Sequence, residues 1–203
     1  MTNAPAYLDS ASSEPLHPAA REAFLAALDQ GYADPRRLHR PGRNARLILD
    51  NARAAVAEAL QVRADEVSFT SSGTEAVHRG LLGLLRGYAA RRAVHSAVEH
   101  SAVLHALEWW DGEAVPAPVG RSGRVDLPLP AADVVALQSA NHEVGTVQPV
   151  AEVAGSAGAV PVFVDAGASM GRLPLPDGWA VAAGSAHKWG GPAGVGVLVV
   201  LVG

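Results

Sequence analysis

Lys188 is the one lysine among the chain's 16 Lys and Arg residues. It sits in Ser185-Ala186-His187-Lys188, ahead of the glycine-rich run Gly190-Gly191-Pro192-Ala193-Gly194. A lysine amine is a nucleophile when partly desolvated, and its characteristic covalent chemistry is a Schiff base with a carbonyl. A surface lysine in a turn is the plainer reading, and the arginine bias of the composition leaves it open. Asp165 closes an apolar run in Val164-Asp165-Ala166-Gly167. A carboxylate there can keep a pyridine nitrogen protonated, or simply cap a helix.

Three further groups precede these two. Thr70-Ser71-Ser72-Gly73-Thr74-Glu75-Ala76 joins an apolar run to a helical pattern. Small residues, hydroxyls and free N–H groups at a helix start bind phosphate. The same residues also make an ordinary cap with Ser72 or Thr74 and Glu75. His100, in Val98-Glu99-His100-Ser101, can stack on an aromatic ring and move protons, or serve a structural role. Asn141, in Ala140-Asn141-His142-Glu143, can donate to a phenolate oxygen or occupy a turn. A phosphate loop, a histidine, an asparagine, an acid and a lysine, in that order, suit pyridoxal phosphate, which takes a lysine Schiff base and an acidic partner for its ring nitrogen.

The elements that must position them alternate. Pro18 opens a helix whose stripe of Phe24, Leu25 and Leu28 stops at Gly31. Asp34-Pro35 and Pro41-Gly42 mark a loop, and residues 43–60 repeat apolar positions at helical spacing. Residues 67–69 predict a strand and 74–88 a helix. Residues 93–95 predict a weak strand and 101–110 a helix. Residues 134–137, 162–164, 179–183 and 195–202 predict buried strands. This alternation implies an α/β fold, with a mostly parallel sheet and helices on both faces. Each chemical group follows a strand, so all fall on one sheet edge. Two connections look short for crossovers: residues 152–159, and residues 126–133 with their two prolines.

Composition narrows the classes. Hydrophobic residues make up 49% and charged residues 18% of 203, enough for one sizeable core, and the domain is expected to span residues 1–203 with an extended segment over 1–17. The net charge is −4 and the arginines are scattered, so no nucleic-acid partner is expected. The first residues lack a signal-peptide pattern and no apolar run is long enough to span a membrane, so a cytoplasmic setting without a membrane partner is expected. The absence of cysteine excludes disulfides, thiolate metal sites and a cysteine nucleophile, and no metal is expected.

From Tyr7-Leu8-Asp9 to the C-terminus the chain resembles the class V aminotransferases, and within them the cysteine desulfurases. The resemblance rests on Asp34-Pro35 with His39, Gly42 and Ala45-Arg46, on Phe69 to Ala76, and on Glu99-His100. It rests further on Asn141 to Pro149 and on Ser185 to Lys188 with Gly191-Pro192, Gly194-Val195 and Gly196. It implies pyridoxal phosphate on the large domain of a type I fold. Lys188 is implied as the Schiff-base lysine, Asp165 as the partner of the ring nitrogen and His100 as the stacking ring. Gly73, Thr74, Ser185 and His187 are implied to hold the phosphate, and Asn141 to approach the ring oxygen or the substrate carboxylate. It also implies a cysteine-like amino-acid substrate, a sulfur acceptor protein, and a homodimer or a separate C-terminal chain. Two departures stand out. Ala168 occupies a position where the family has glutamine, removing one hydrogen bond to the ring oxygen. The family's small C-terminal domain, with its carboxylate-binding arginine and persulfide cysteine, has no counterpart in the sequence. The last strand, if left uncovered, is expected to be a pairing hazard, the alternative being that it is central and flanked by other strands.

Overall fold

The structure, a computed structural model, describes residues 6–202. Residues 1–5 and 203, which belong to the expected terminal segments, lie outside the described residues. Residues 6–17 form turns without helix or strand. Two helices follow, α1 (Pro18–Gln30) and α2 (Arg40–Leu60). Both begin on a histidine whose Nδ1 accepts a backbone N–H of the first turn, His17 from Ala19 and His39 from Gly42. Pro41-Gly42 thus lies inside α2 rather than in a loop, because proline fits a helix's first turn, where its missing N–H costs nothing. The stripe on α1 forms as expected, but none of its residues is buried.

The chain then builds one seven-stranded sheet. In order come β1 (Val67–Thr70), α3 (Gly73–Gly87), β2 (Arg92–Ser96), α4 (Ser101–Trp109), β3 (Glu113–Ala117) and β4 (Val134–Gln138). A short hairpin, β5 (Ala140–Asn141) and β6 (Thr146–Val147), leads to α5 (Val150–Ala157), β7 (Val162–Asp165), β8 (Val181–Ser185) and β9 (Gly196–Val200). The spatial order is β1-β9-β8-β7-β4-β2-β3. β9 is antiparallel to both its neighbours, and the pairs among the other strands are parallel.

Side-chain alternation sorts the interior into two layers. Along β7, Val162 and Val164 join one cluster and Phe163 the other. Along β9, Val197 and Val199 oppose Leu198 in the same way. One layer is closed by α3 and α4 through Leu81, Leu85, Val103 and Leu107. The other is closed by α2 and α5 through Ala57, Val150 and Val153. Helices on both faces of a mostly parallel sheet were the expectation, and the fold has that form.

Four details differ from it. The last strand is not exposed: β9 lies between β1 and β8, so the edges are β1 and β3. The short stretch near residue 152 is a true helix, α5, starting two residues earlier. The strand expected over 179–183 forms two residues later, with Trp179 packed beneath it. β3 was not expected, because Glu113 and Pro116 disguise it. An edge strand tolerates both, having one side free of ladder bonds. From β3 the chain returns to β4 through residues 118–133 without a helix, as the prolines require.

Candidate active site

Strands β1, β2, β4, β7 and β8 end at one edge of the sheet, where β9 begins. The groups picked from the sequence stand there. Ser72 caps α3: its hydroxyl accepts the Glu75 N–H at 3.0 Å and its carbonyl takes the Ala76 N–H. Glu75 reaches back to the Ser71 N–H at 2.7 Å. The cap reading is therefore correct for Ser72 and Glu75. It still leaves the N–H groups of Gly73 and Thr74 without an intrahelical acceptor, bordering a cavity.

That cavity is about 280 Å³ and gathers Gly73, Thr74, His100, Asp165, Ser185, His187 and Lys188, seven of the eight residues singled out. Gly73 is there because nothing larger fits. A Cβ on it would stand 2.6 Å from Ser185 Cβ, so the helix start and the lysine loop touch backbone to side chain. The Ser185 hydroxyl meets His187 Nδ1 at 3.0 Å. His100 caps α4 through Nδ1, which accepts the Ala102 N–H at 3.1 Å, so in the neutral ring the proton sits on Nε2.

Asp165 is 9% exposed, and its Oδ1 accepts the Gly167 N–H at 2.9 Å. Burial pushes its carboxyl above the usual carboxylate range. The Gly167 N–H and the nearby His100, Lys188 and His142 pull the other way. Among the described residues Asp165 makes no direct ion pair, and a group so placed is suited to receiving a cation.

Asn141 is the exception. Its Oδ1 accepts the N–H groups of Glu143 and Val144, and its Nδ2 donates to Val98 O. The amide is engaged by a turn, and it borders an adjoining cavity of about 330 Å³ with Ser10, Arg172 and Lys188. Ala168 and His142 line both cavities. His142 was not singled out, although it neighbours Asn141 in sequence. Its ring lies 6.1 Å from that of His100, and burial, aided by Lys188 and His100, holds it below the ordinary histidine range. Gln138 was missed as well, because a polar residue ending an apolar strand gives no signal of its own.

The lysine loop is held from outside. Glu14 N–H donates to His187 O at 2.8 Å and His17 N–H to Gly190 O at 2.9 Å, while Arg172 donates to Lys188 O and pairs with Glu14. The residues before α1 are thus tied to the lysine loop, and Ser10 and Ala11 line the adjoining cavity. Larger hollows exist, one of about 560 Å³ between α2 and residues 170–175 and one of about 1010 Å³ between the ends of α3 and α4. Apart from Arg172 in the first, neither shares residues with the two lysine-lined cavities, and neither contains a lysine.

Residues 6–201 match the family model described as Aminotransferase class-V. The chain is 38% identical over 217 residues to an IscS-like cysteine desulfurase of Mycobacterium tuberculosis, covering 96% of this chain and 55% of that protein. It is 39% identical to a cysteine desulfurase of Cereibacter sphaeroides, covering 95% and 54%. Among solved structures, a NifS-like protein superposes with a TM-score of 0.88 at 28% identity, over 96% of this chain and 58% of that one. The chain therefore spans about half the length of the relatives it matches. Members of the matched family depend on pyridoxal phosphate, and this chain belongs to the class V aminotransferase family.

Proposed function

We propose that this chain is the cofactor-binding part of a pyridoxal-phosphate enzyme acting on a cysteine-like amino acid, with Lys188 as its reactive amine. One observation carries the reading: the sole lysine of the sequence shares a cavity with a buried carboxylate and a helix start with unsatisfied N–H groups. The residues fit the cofactor. The Gly73 and Thr74 N–H groups, the Ser185 hydroxyl and His187 offer an anion site where Gly73 leaves no room for a side chain. Asp165, at the end of a different strand, offers a desolvated carboxylate for a protonated ring nitrogen.

Bound there, pyridoxal phosphate supplies a carbonyl for an amine to condense with and a ring that takes up the electrons of a bond broken at the substrate's α-carbon. The chain's own residues do the rest. Lys188 Nζ is the amine that would hold the cofactor, and it is an atom that could take or return a proton. His100 Nε2 is the second atom free to carry one, since Nδ1 is committed to Ala102. Asp165 keeps negative charge at the buried end and Ser185 orients His187. Ala168 offers no hydrogen bond at the ring oxygen.

The supporting relatives are named cysteine desulfurases, which favours cysteine as substrate and a sulfur acceptor protein as partner. A homodimer or a complex with a separate C-terminal chain, in the cytoplasm, completes the reading, with residues 1–203 as the large domain. One observation favours a second reading. The sequence has no cysteine, so a class V lyase or transaminase, needing no persulfide, also suits it. The test is spectral. The purified chain should bind pyridoxal phosphate covalently, and L-cysteine should change its absorbance. Sulfide should appear from cysteine only when a cysteine-bearing partner chain is added. Absence of cofactor binding would refute the proposal. A response to other amino acids but not to cysteine would favour the second reading.

A further inference from the structure

The turn between β2 and α4 carries a buried carboxyl that the reading above leaves without a role. Glu99 is 7% exposed. Its Oε1 accepts the Gln138 N–H at 2.9 Å, and its Oε2 is buried with no hydrogen-bond partner among the described residues. Gln138 ends β4, paired in register with Asp165 on β7. The Ser139 N–H donates to Asp165 O, so the Gln138 N–H points the other way, toward β2. There β2 has already parted, its pairing with β4 ending at His95 and Ala136. Glu99 supplies the acceptor that the missing strand would have given. The same corner grips the turn twice more, since Gln138 Nε2 and Asn141 Nδ2 both donate to Val98 O. His100 directly follows Glu99 in this turn.

Two carboxyl groups in one dry corner do not both ionise readily, and their surroundings decide which does. Asp165 accepts the Gly167 N–H and faces His100, Lys188 and His142. Glu99 accepts the Gln138 N–H and faces Asp165. On the β2 side stands His95, whose Nδ1 is engaged by Ser96 O. We infer that Glu99 is a positioning residue, a neutral carboxyl that bolts the His100 turn to β4 and leaves Asp165 the single negative charge in that corner. Burial agrees in direction. It pushes the Glu99 carboxyl well above the usual range against the Gln138 and Ser96 amides, and the Asp165 charge adds to the push.

The inference rests on the proposed function only for Asp165's use toward the cofactor. The proton and the bolt are testable without it. With carboxyl-carbon-labelled glutamate, the NMR resonance assigned to Glu99 by its loss in E99Q should keep a protonated shift at neutral pH in the cofactor-free chain. An ionised shift there overturns the inference. In pyridoxal-phosphate titrations followed by absorbance, E99Q should bind within about twofold of the unaltered chain, since the amide oxygen still meets the Gln138 N–H. E99L should bind about tenfold more weakly, because that N–H is left unpaired and the His100 turn is released. Unaltered binding by E99L overturns the positioning role. Should E99L not fold, tenfold weaker binding by E99Q with an unchanged melting temperature overturns the neutral carboxyl. If the unaltered chain does not bind the cofactor at all, the functional proposal fails, while the NMR result still decides the state of Glu99.

Discussion

Replacing Gly73 by alanine tests the contact on which the cofactor cavity is built. The new Cβ would sit 2.6 Å from Ser185 Cβ and 3.0 Å from its Oγ. Carbon atoms pack best at about 3.5–4.0 Å, so the helix start and the lysine loop must separate by about 1 Å. Overpacking of that size costs about 1–3 kcal/mol. For a chain of this length, about 2–4 °C of melting temperature follows each kcal/mol, so a fall of about 2–12 °C is expected. Affinity for pyridoxal phosphate should drop by at least about tenfold, because the two free N–H groups move with the helix. Gly83, on the same helix, is the control. A Cβ there meets nothing within 4 Å. Gly83→Ala should therefore gain about 0.5–1 kcal/mol from helix propensity and leave cofactor affinity untouched. Differential scanning fluorimetry and absorbance titration on the two variants decide it. If Gly73→Ala melts and binds like Gly83→Ala, the close approach is not what shapes the site.

Further predictions concern single groups. Borohydride reduction after cofactor addition should label the peptide containing Lys188, and labelling that survives Lys188→Ala would sink that assignment. Asp165→Asn should raise the melting temperature of the cofactor-free chain at about pH 7. The carboxyl's folded pKa is raised, so its favourable contribution is complete below its unfolded value of about 3.8 and is lost as pH rises through the folded value. The gain should fade as the pH falls toward about 3, and a gain independent of pH contradicts the burial argument. Phe163→Ala, emptying a fully buried site two residues from Asp165, should cost about 3–5 kcal/mol in urea unfolding; a loss below about 1 kcal/mol would show the site able to collapse. Phe24, Leu25, Leu28, Tyr32 and Leu38 are all more than 40% exposed on or beside α1, so light scattering should show association at high concentration. A stable monomer with cofactor bound would contradict it.

Much of this architecture was legible in the sequence for physical reasons. Buried parallel strands read as short apolar runs, and residues 134–137 and 162–164 gave β4 and β7 to within a residue. The groups that gather at the sheet edge could be picked out because small or chemically distinctive residues stood after those runs. What failed was non-local. Nothing in residues 195–202 says that this strand runs antiparallel into the interior of the sheet, since placement depends on partners far along the chain. β3 was hidden by a charge and a proline that only an edge forgives. Asn141 borders the adjoining cavity rather than the main one, with its amide bonded to its own turn and to Val98 O. His142 and Gln138 reach the cavity through the geometry of neighbouring elements rather than through any local pattern.

The placement of β9 bears on how the molecule folds. β1 has one neighbour in the sheet, and that neighbour is β9. The helix start after β1 and the loop after β8 are more than a hundred residues apart in sequence, yet they face each other across Gly196, where a Cβ would stand 2.1 Å from Ser72 O. The strands from β2 to β8 can pair before residues 196–200 arrive, but β1 cannot join them. The two halves of the cavity therefore meet only once the last strand slots in, a long loop closure that belongs late in folding. By the same geometry, local loosening of β9 separates the phosphate-binding side from the lysine side while the rest of the sheet stays paired. In hydrogen exchange, Val67–Thr70 and Gly196–Val200 should open together, ahead of β4 and β7.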